Sequence, residues 1–320
     1  MTPLRGNCLN ERLPPVTGAA RLPFRAARIG VLAAALALSS GCLVRRHKID
    51  RGAKGNVPLL TAGLQQLADS LRQHYQAIET LNATVDLEPS VLSTSKGEIS
   101  EYKDVRGYIL IRKPAWIRVI ALYPVVRGTA FDMVSDGRNF SVYLPSKSLF
   151  IMGPNRIEKP SPRKIENLRP EHLLDALLVR PPNSSNERIV LENWTDAKEP
   201  SYIVHIIRQD GPNTLHLARN VWFDRTTLEI VRQRIFDEKG DVVTDAQYSG
   251  WMRHGSVHFP KEIVITRPKD EYELRVNVQK SAFNEPIGPE KFSLPPPPGV
   301  KVERVGETPA KPAAGGGAGG

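Results

Sequence analysis

The rhythm of turns along the chain constrains its fold more than any other feature. In the second half, turn residues recur about every fifteen residues, near Asp210-Gly211, Arg225-Thr226, Lys239-Gly240 and His254-Gly255. This spacing predicts antiparallel strands of about ten residues, and such strands are about 30 Å long, so that their sheet must twist and curl. The sequence therefore predicts a single curved antiparallel sheet.

Two helices are predicted beside the sheet. Apolar residues recur at spacings of three and four near the start of this region, which indicates one amphipathic helix. They are Leu60, Leu64, Leu67, Leu71, Tyr75, Ile78 and Leu81. After a Pro-rich basic loop at 153–169, a short second helix is predicted with Pro170 in its first turn. Its apolar side consists of Leu173, Leu174, Leu177 and Leu178. The predicted fold class is α+β, a single curved antiparallel sheet with both helices available as a lid over one face.

The stretch from Gly107 to Pro124 is apolar on both faces of its predicted strands. Tyr108 and Leu110 alternate with Ile109 and Ile111, whereas a sheet with one solvated face alternates apolar with polar residues. Both faces of these strands therefore need cover. The helices can supply one cover, and the sequence does not assign the other.

The N-terminal leader has the pattern of a secretory signal. Arg21, Arg25 and Arg28 precede a short apolar run that ends in small residues and Cys42, as expected for a cleaved signal peptide over residues 1–41. The run has about half of the roughly 20 apolar residues that a transmembrane helix needs. The alternative interpretation is a short buried N-terminal helix.

The end of the leader, Leu38-Ser39-Ser40-Gly41-Cys42, resembles a bacterial lipobox, with Ser39 where that motif usually has leucine. The resemblance implies lipidation of Cys42, cleavage before it and N-acylation, which together give stable membrane anchoring. Leu43 and Val44 lack the aspartate that resembles an inner-membrane retention signal. The expected location is therefore the outer membrane, facing the periplasm.

Cysteine content and net charge limit the kinds of site and partner that the mature chain can have. The other cysteine, Cys8, lies in the leader, so the mature chain has no thiol for a disulfide, a nucleophile or a metal site. Five of the 44 basic residues and one of the 34 acidic residues also lie in the leader, which leaves a net charge of +6. A modestly basic surface is compatible with an anionic membrane surface and equally with an ordinary solvated surface.

Several fragments have the spacing of catalytic or metal sites but not the context. Ser93 and Lys96 have a Ser-x-x-Lys spacing in a predicted turn, and His254 and His258 are four apart in a turn and strand, not on a helix. His205, His216, Asp132 and Asp245 are scattered over predicted strands. The sequence therefore predicts no enzyme, no metal, no cofactor and no nucleic-acid partner.

Two blocks of the sequence resemble the Lol-type (LolA/LolB-like) periplasmic lipoprotein carriers and receptors. The first is a glycine-containing apolar strand, a basic-Pro break, an aromatic-x-Arg strand and an Asp-Gly turn before an aromatic strand. Its positions are Gly107, Arg112, Lys113, Pro114, Trp116, Arg118, Asp136, Gly137, Phe140 and Tyr143. The second block matches a later hairpin at Phe223, Asp224, Thr226, Arg232, Asp237 and Gly240. The resemblance covers about residues 57–295.

This resemblance implies an unclosed half-barrel in which both helices form a lid over a hydrophobic cavity that receives acyl chains. The candidate lining residues are Tyr108, Leu110, Trp116, Phe131, Met133, Phe140, Val142 and Trp222. Val125 and Val126 are candidates for a loop that contacts the membrane, with a buried continuation of the strand as the alternative. Arg112 and Arg118 are candidates to hold the lid or a lipid head group, or are ordinary surface charges.

The resulting hypothesis is an outer-membrane-anchored lipoprotein that binds lipid or lipoprotein acyl chains and takes part in their transfer or membrane insertion. A periplasmic carrier is the expected donor, and the protein is expected to be a monomer. The alternative is a ligand-free scaffold or envelope-stress sensing module of the same fold. The predicted organisation is a tether at 42–56, the domain at 57–295 and a disordered Pro/Gly/Ala-rich tail at 296–320.

Overall fold

The computed structural model describes residues 57–93, 98–101, 104–123, 128–155, 169–195 and 199–306. All of them belong to the second of two units, which divide between Asp50 and Arg51. The predicted signal peptide, the lipobox, the tether before Val57, and Val125 with Val126 lie outside the described residues. No helix within the described ranges is long and apolar enough to cross a membrane.

The described residues form two α-helices, α1 (Leu64–Gln76) and α2 (Pro170–Leu177). They also form fifteen strands. The first seven are β1 (Thr80–Ser93), β2 (Glu98–Glu101), β3 (Val105–Arg112), β4 (Trp116–Leu122), β5 (Thr129–Ser135), β6 (Asn139–Leu144) and β7 (Leu149–Pro154). The remaining eight are β8 (Glu187–Trp194), β9 (Ser201–Gly211), β10 (Thr214–Asp224), β11 (Ile230–Phe236), β12 (Val242–His254), β13 (Val257–Arg267), β14 (Tyr272–Phe283) and β15 (Lys301–Arg304).

The strands form one large sheet, in the order β15-β7-β6-β5-β4-β3-β1-β14-β13-β12-β11-β10-β9-β8, with β2 paired to β1. The pairs are antiparallel except that β15 runs parallel to β7. The terminal strands of this order, β8 and β15, do not pair with each other within the described part of the chain. The prediction of a single unclosed antiparallel sheet with two helices is confirmed, and the parallel edge strand was not expected.

The predicted Asp-Gly turn joins β5 to β6. Gly137 has a φ of +89°, a left-handed conformation that glycine adopts without steric cost. The Asp136 carboxylate accepts hydrogen bonds from the backbone N–H groups of Arg138 and Asn139, both at 2.7 Å. This capping by aspartate and the freedom of glycine explain why the dipeptide ends one strand and starts the next.

The first helix is shorter than its apolar pattern suggested. It begins after Gly63, whose backbone is extended, and ends at Gln76, so that Leu60 precedes the helix and Leu81 belongs to β1. Leu81 fits the helical spacing only by coincidence, because the inward residues of β1 recur at every second position. The second helix begins at Pro170 as predicted.

Both helices pack against one face of the sheet, here called the inner face, which carries Ile109, Ile111, Ile117 and Val119. These residues form one buried cluster with leucines of the two helices. The helical members are Leu67, Leu71, Leu173, Leu174 and Leu177. The inner face of the apolar stretch Gly107–Pro124 is therefore covered as expected.

The C-terminal segment at residues 284–306, here called the strap, covers the outer face of the same strands. The rings of Phe292 and Trp116 meet edge to face with centroids 5.4 Å apart, and the Arg112 guanidinium lies 3.9 Å from the Trp116 ring centroid. Arg112 donates to the Ile287 carbonyl at 3.1 Å, and Arg118 donates to the Lys291 carbonyl at 2.8 Å. The strap is thus the second cover that the doubly apolar stretch requires.

The strap ends by adding β15 to the edge of the sheet. Lys301 donates its backbone N–H to the Ser148 carbonyl and Val305 donates to the Met152 carbonyl, both at 2.9 Å. The tail expected to be disordered from residue 296 is therefore ordered up to residue 306. Its Pro-rich composition suggested disorder, but hydrogen bonds to β7 supply partners for its backbone.

Candidate functional site

An apolar cleft of about 370 Å³ lies on the inner face, where α2 crosses the sheet. Strands β1, β3, β4, β5 and β14 form its floor and walls, and Leu173 of α2 lies against it. The lining residues are Leu87, Pro89, Ser90, Val105, Val119, Ala121, Ala130, Phe131, Met133, Leu173, Tyr272, Glu273 and Leu274. Its volume falls within the range of about 300–1,000 Å³ that ligand pockets occupy.

Small residues on the inner face leave this space open. Gly107 pairs with Ala121 across β3 and β4, and a Cβ at Gly107 would lie 2.6 Å from the Ile120 carbonyl oxygen and 2.9 Å from the Leu87 side chain. Ala121 and Ala130 line the cleft where larger side chains would fill it. The inner face is thus closely packed at Gly107, where there is no room for a Cβ, and hollow beside Ala121 and Ala130.

The chemistry of the cleft is almost entirely apolar. Neither lysine, arginine nor histidine is among the described residues that line it. Its one carboxylate, Glu273, accepts a hydrogen bond from the Thr266 hydroxyl at 2.9 Å. The Tyr272 hydroxyl is buried without a hydrogen-bond partner, and burial raises the pKa of Tyr272 to about 12. Such a site can bury hydrocarbon.

The candidate lining residues divide by the face on which they lie. Phe131 and Met133 line the cleft. Phe140 and Val142 lie in the buried cluster of the inner face and do not reach the cleft. The other four candidates lie on the outer face, namely Tyr108, Leu110, Trp116 and Trp222. Tyr108 is 38% exposed, and Trp116 is under the strap. The ring centroid of Trp222 lies 5.6 Å from the guanidinium groups of Arg232 and Arg234.

A signal for the correct face was present in the sequence. Arg106, Arg112 and Arg118 occupy the same alternate positions as Tyr108 and Trp116, and arginine is rarely buried without a partner. The face with the arginines is therefore the outer face. Sequence reasoning missed the lining residues that alternate with these arginines along β3 and β4, namely Val105, Val119 and Ala121. It also missed Leu274 on β14 and Leu173 on α2.

Arg112 and Arg118 do not approach the cleft. Arg118 makes two hydrogen bonds to Asp132, at 3.0 and 2.7 Å, and both arginines bind carbonyl groups of the strap. Their place on the outer face gives them a structural role in fastening the strap.

The residues with catalytic spacing are committed to ordinary contacts. His205 lies between Asn220 and Glu192, at 2.8 Å from each, and Asp245 binds Arg232 and Arg234. In the part of the chain that the structure describes, no three His, Cys, Asp or Glu residues are grouped to hold a metal ion. Ser93 is at the end of β1, and Lys96 lies outside the described residues.

A second, polar pocket of about 630 Å³ lies near the other side of α2. Its centre is an ion-pair network in which Glu187 binds Arg208 and Arg219, each at 3.0 Å. Arg180 pairs with Asp175 of α2. Burial, together with the neighbouring Asp175, raises the pKa of Glu171. Because these arginines and carboxylates are paired with one another, we interpret the network as stabilising the fold.

No family model matches the chain, and no curated protein matches it. Several solved structures are similar to this chain over much of its length. A LolA superfamily protein from Nitrosomonas europaea is 11% identical with a TM-score of 0.47, over 73% of this chain and 99% of that chain. A protein domain from Vibrio parahaemolyticus, named for outer membrane lipoprotein sorting, is 12% identical with a TM-score of 0.46, over 71% and 94%. A DUF1329 family protein from Desulfovibrio piger has 12% identity and a TM-score of 0.45, over 71% and 94%. At these identities the likeness concerns the fold alone.

Proposed function

We propose that this chain is a lipid-anchored protein of the bacterial envelope that holds an acyl chain of a lipid or lipoprotein in the apolar cleft. The observation that carries the proposal is the cleft itself, which has an apolar lining of suitable volume and no cation among its described residues. Each methylene group transferred from water into such a cleft contributes about 0.8 kcal/mol. An acyl chain therefore gains its binding free energy from burial alone.

The activity is partition between apolar environments and involves no bond breaking. The acyl chain leaves a donor, with a periplasmic carrier as the proposed source, and enters the cleft. Release requires an acceptor that buries the chain equally well, and a bilayer is such an acceptor. Lipidation at Cys42 would hold the cleft next to the outer membrane. Transfer or membrane insertion of lipids or lipoproteins is the function that this arrangement supports best.

Co-purification tests the proposal. The full chain carrying Cys42→Ser, which prevents lipidation, is purified without detergent and its bound lipid is measured by native mass spectrometry and by extraction. We expect about one acyl-bearing molecule per chain, because the cleft is at the small end of the ligand-pocket range. An empty cleft in every preparation would contradict the proposal and leave a ligand-free scaffold or sensing module.

A matched pair of variants shows whether any bound lipid occupies the cleft. Ala121 lines the cleft, whereas its neighbour Ile120 points to the outer face in the alternation of β4. Ala121→Phe should fill the cleft and remove the lipid, and Ile120→Phe should leave it in place. Equal lipid content in the two variants would mean that the lipid binds elsewhere.

A further inference from the structure

We propose that β8, a free edge strand of the sheet, pairs antiparallel with β8 of a second copy of this chain, so that the protein forms a symmetric dimer. This inference goes beyond the proposed function and departs from the expectation of a monomer. A second copy is the partner because the charges of β8 are complementary to those of the same strand running in the opposite direction.

The edge at β8 lacks several of the features with which proteins protect an edge strand. β9 is its only partner strand in the described part of the chain. β8 contains neither proline nor lysine, and its register with β9 runs from Glu187 to Trp194 without a bulge. A regular edge of this kind offers its backbone groups for pairing with another strand. At the other end of the strand order, the short β15 already covers β7.

The ladder with β9 determines which backbone groups of β8 point away from the sheet. Gln209 donates its backbone N–H to the Asn186 carbonyl at 2.8 Å. Successive residues of an antiparallel strand direct their backbone groups alternately to its two sides, so that the even-numbered residues of β8 bond to β9. The backbone groups of Ile189, Leu191 and Asn193 therefore point outward. Two copies of β8 can pair only in registers that place these odd-numbered residues opposite one another.

The charges of β8 select one of these registers. A register centred on Arg188 brings two arginines together, and one centred on Glu192 brings two glutamates together, both of which are unfavourable. Registers centred on Ile189 or Leu191 place neither charge opposite another. In the register centred on Val190, Arg188 of each copy lies opposite Glu192 of the other. This register therefore forms two opposite-charge pairs on the outer face, one on each side of the two-fold axis.

The side chains that this contact needs are accessible. Val190, at the two-fold axis, is 49% exposed. The Glu192 side chain is 42% exposed, although His205 lies 2.8 Å from one of its oxygens. Arg188 is exposed and donates to neighbouring backbone carbonyl groups, so that no carboxylate in the described ranges neutralises it. Pairing of two copies would give Arg188 a carboxylate partner and remove Val190 from water.

The size and position of the contact set what is expected of the dimer. β8 has eight residues, and an edge-to-edge pair of such strands buries less than the roughly 1,200–2,000 Å² of a standard interface. We therefore expect a reversible dimer that dissociates on dilution. The strands β9 to β13 separate β8 from β14 of the cleft, so the contact does not involve the cleft.

Charge reversal tests the pairing and its register. Sedimentation equilibrium is measured on the full chain carrying Cys42→Ser, at protein concentrations up to about 0.5 mM. We expect Arg188→Glu and Glu192→Arg each to weaken dimerisation at least tenfold, because each replaces two attractive cross-strand pairs with two repulsive ones. An equal mixture of the two variants should dimerise again, because every pair in the mixed dimer is then of opposite charge. Arg106→Glu, the same charge change at a 61% exposed side chain of β3, is the control and should dimerise like the parent.

Hydrogen exchange measures the backbone contact directly. The amides of Ile189 and Leu191 should exchange more slowly in concentrated than in dilute protein. A parent that stays monomeric over the whole range, a dimer as tight in Arg188→Glu as in Arg106→Glu, or a mixture that does not dimerise would overturn the inference. Protection of these amides at every concentration would also overturn it, since another segment of the same chain would then cover the edge. Acyl-chain binding is measured separately, so each of these results leaves the proposed function standing.

Discussion

At the scale of single residues, His172 shows how burial controls a charge. It lies on α2 next to Leu173 of the cleft, and its Nδ1 atom is buried without a partner. Burial, with Arg267 and Arg169 adding positive charge nearby, lowers the pKa of His172 to about 3 from an ordinary 6.5. In the folded protein this imidazole is therefore neutral at every physiological pH.

The lowered pKa of His172 predicts a loss of stability in acid. Below pH 6.5 the unfolded chain binds a proton at His172 and the folded chain does not, so acid favours unfolding. This residue alone should lower the free energy of unfolding by about 1.4 kcal/mol per pH unit, until the pH reaches the folded pKa. Urea titrations at pH 7 and pH 5 should show a smaller loss in His172→Gln. His254→Gln controls for the removal of a histidine, and an unchanged acid limb in His172→Gln would contradict the prediction.

A second residue-scale prediction concerns the ion pair between Glu187 and Arg219, whose side chains are only 4% and 11% exposed. Glu187→Ala should cost about 3–5 kcal/mol, because it leaves Arg219 buried without its counter-charge. Asp69→Ala, which breaks the exposed pair with Arg72, should cost at most about 1 kcal/mol. Chemical denaturation of both variants measures the difference. Equal losses of unfolding free energy in the two variants would show that the buried ion pair stabilises the fold no more than the exposed one.

At the scale of elements, the strap is the part of the fold that covers the outer face of β3 and β4. It carries Phe292 onto Trp116 and accepts hydrogen bonds from Arg112 and Arg118. It then pairs as β15 with β7, which protects an edge that would otherwise expose backbone groups for pairing with another chain. The strap thus converts an outer face with apolar residues into a covered one.

The closeness of the strap to Gly153 gives an element-scale prediction. A Cβ at Gly153 would lie 2.4 Å from the Val305 carbonyl oxygen, so Gly153→Ala should push β15 away from β7. We expect a loss of about 1–3 kcal/mol, as for other overpacked sites, and faster proteolysis after residue 296. Gly211→Ala is the control, because its Cβ would meet Thr214 at an ordinary distance of 3.7 Å. Similar proteolysis of both variants would show that the strap does not depend on this approach.

At the scale of the whole described unit, one inner face forms the core and also contains the proposed binding cleft. Its buried cluster extends over strands from both ends of the sheet and over both helices, while small residues keep the space beside Leu173 open. Because the cleft is a local gap in a continuous core, a ligand that fills it should stabilise the whole fold by mass action.

Ligand-induced stabilisation tests this coupling. An acyl ester at about 100 times its dissociation constant should raise the free energy of unfolding by about 2.7 kcal/mol. The same addition should leave Ala121→Phe unchanged, since its cleft is filled. Thermal unfolding with and without the ester measures both. Stabilisation of the filled variant as well would mean that the ester binds the folded chain at another surface.

The residue patterns predict the elements of this fold well and the face of each strand poorly. The turn at Asp136-Gly137 and the start of α2 at Pro170 follow from local backbone chemistry, so they could be read directly. The resemblance implied that Phe131 and Met133 line a cavity, and both line the cleft as inward residues of one strand. Trp116 and Trp222, named on the same ground, lie on the outer face, because large aromatic residues can be covered equally well from either side of a sheet.

The sequence by itself determined that the chain forms a long antiparallel sheet with two amphipathic helices, since strand alternation, helical spacing and turn chemistry act between near neighbours. Only the tertiary structure decided which segment covers the outer face of Gly107–Pro124 and that a cleft remains on the inner face. Both depend on contacts between residues far apart in the chain, such as Trp116 with Phe292 and Ala121 with Phe131 beside Tyr272 and Leu173. Local periodicity carries no information about these contacts, because an apolar side chain is stabilised by burial whatever segment buries it.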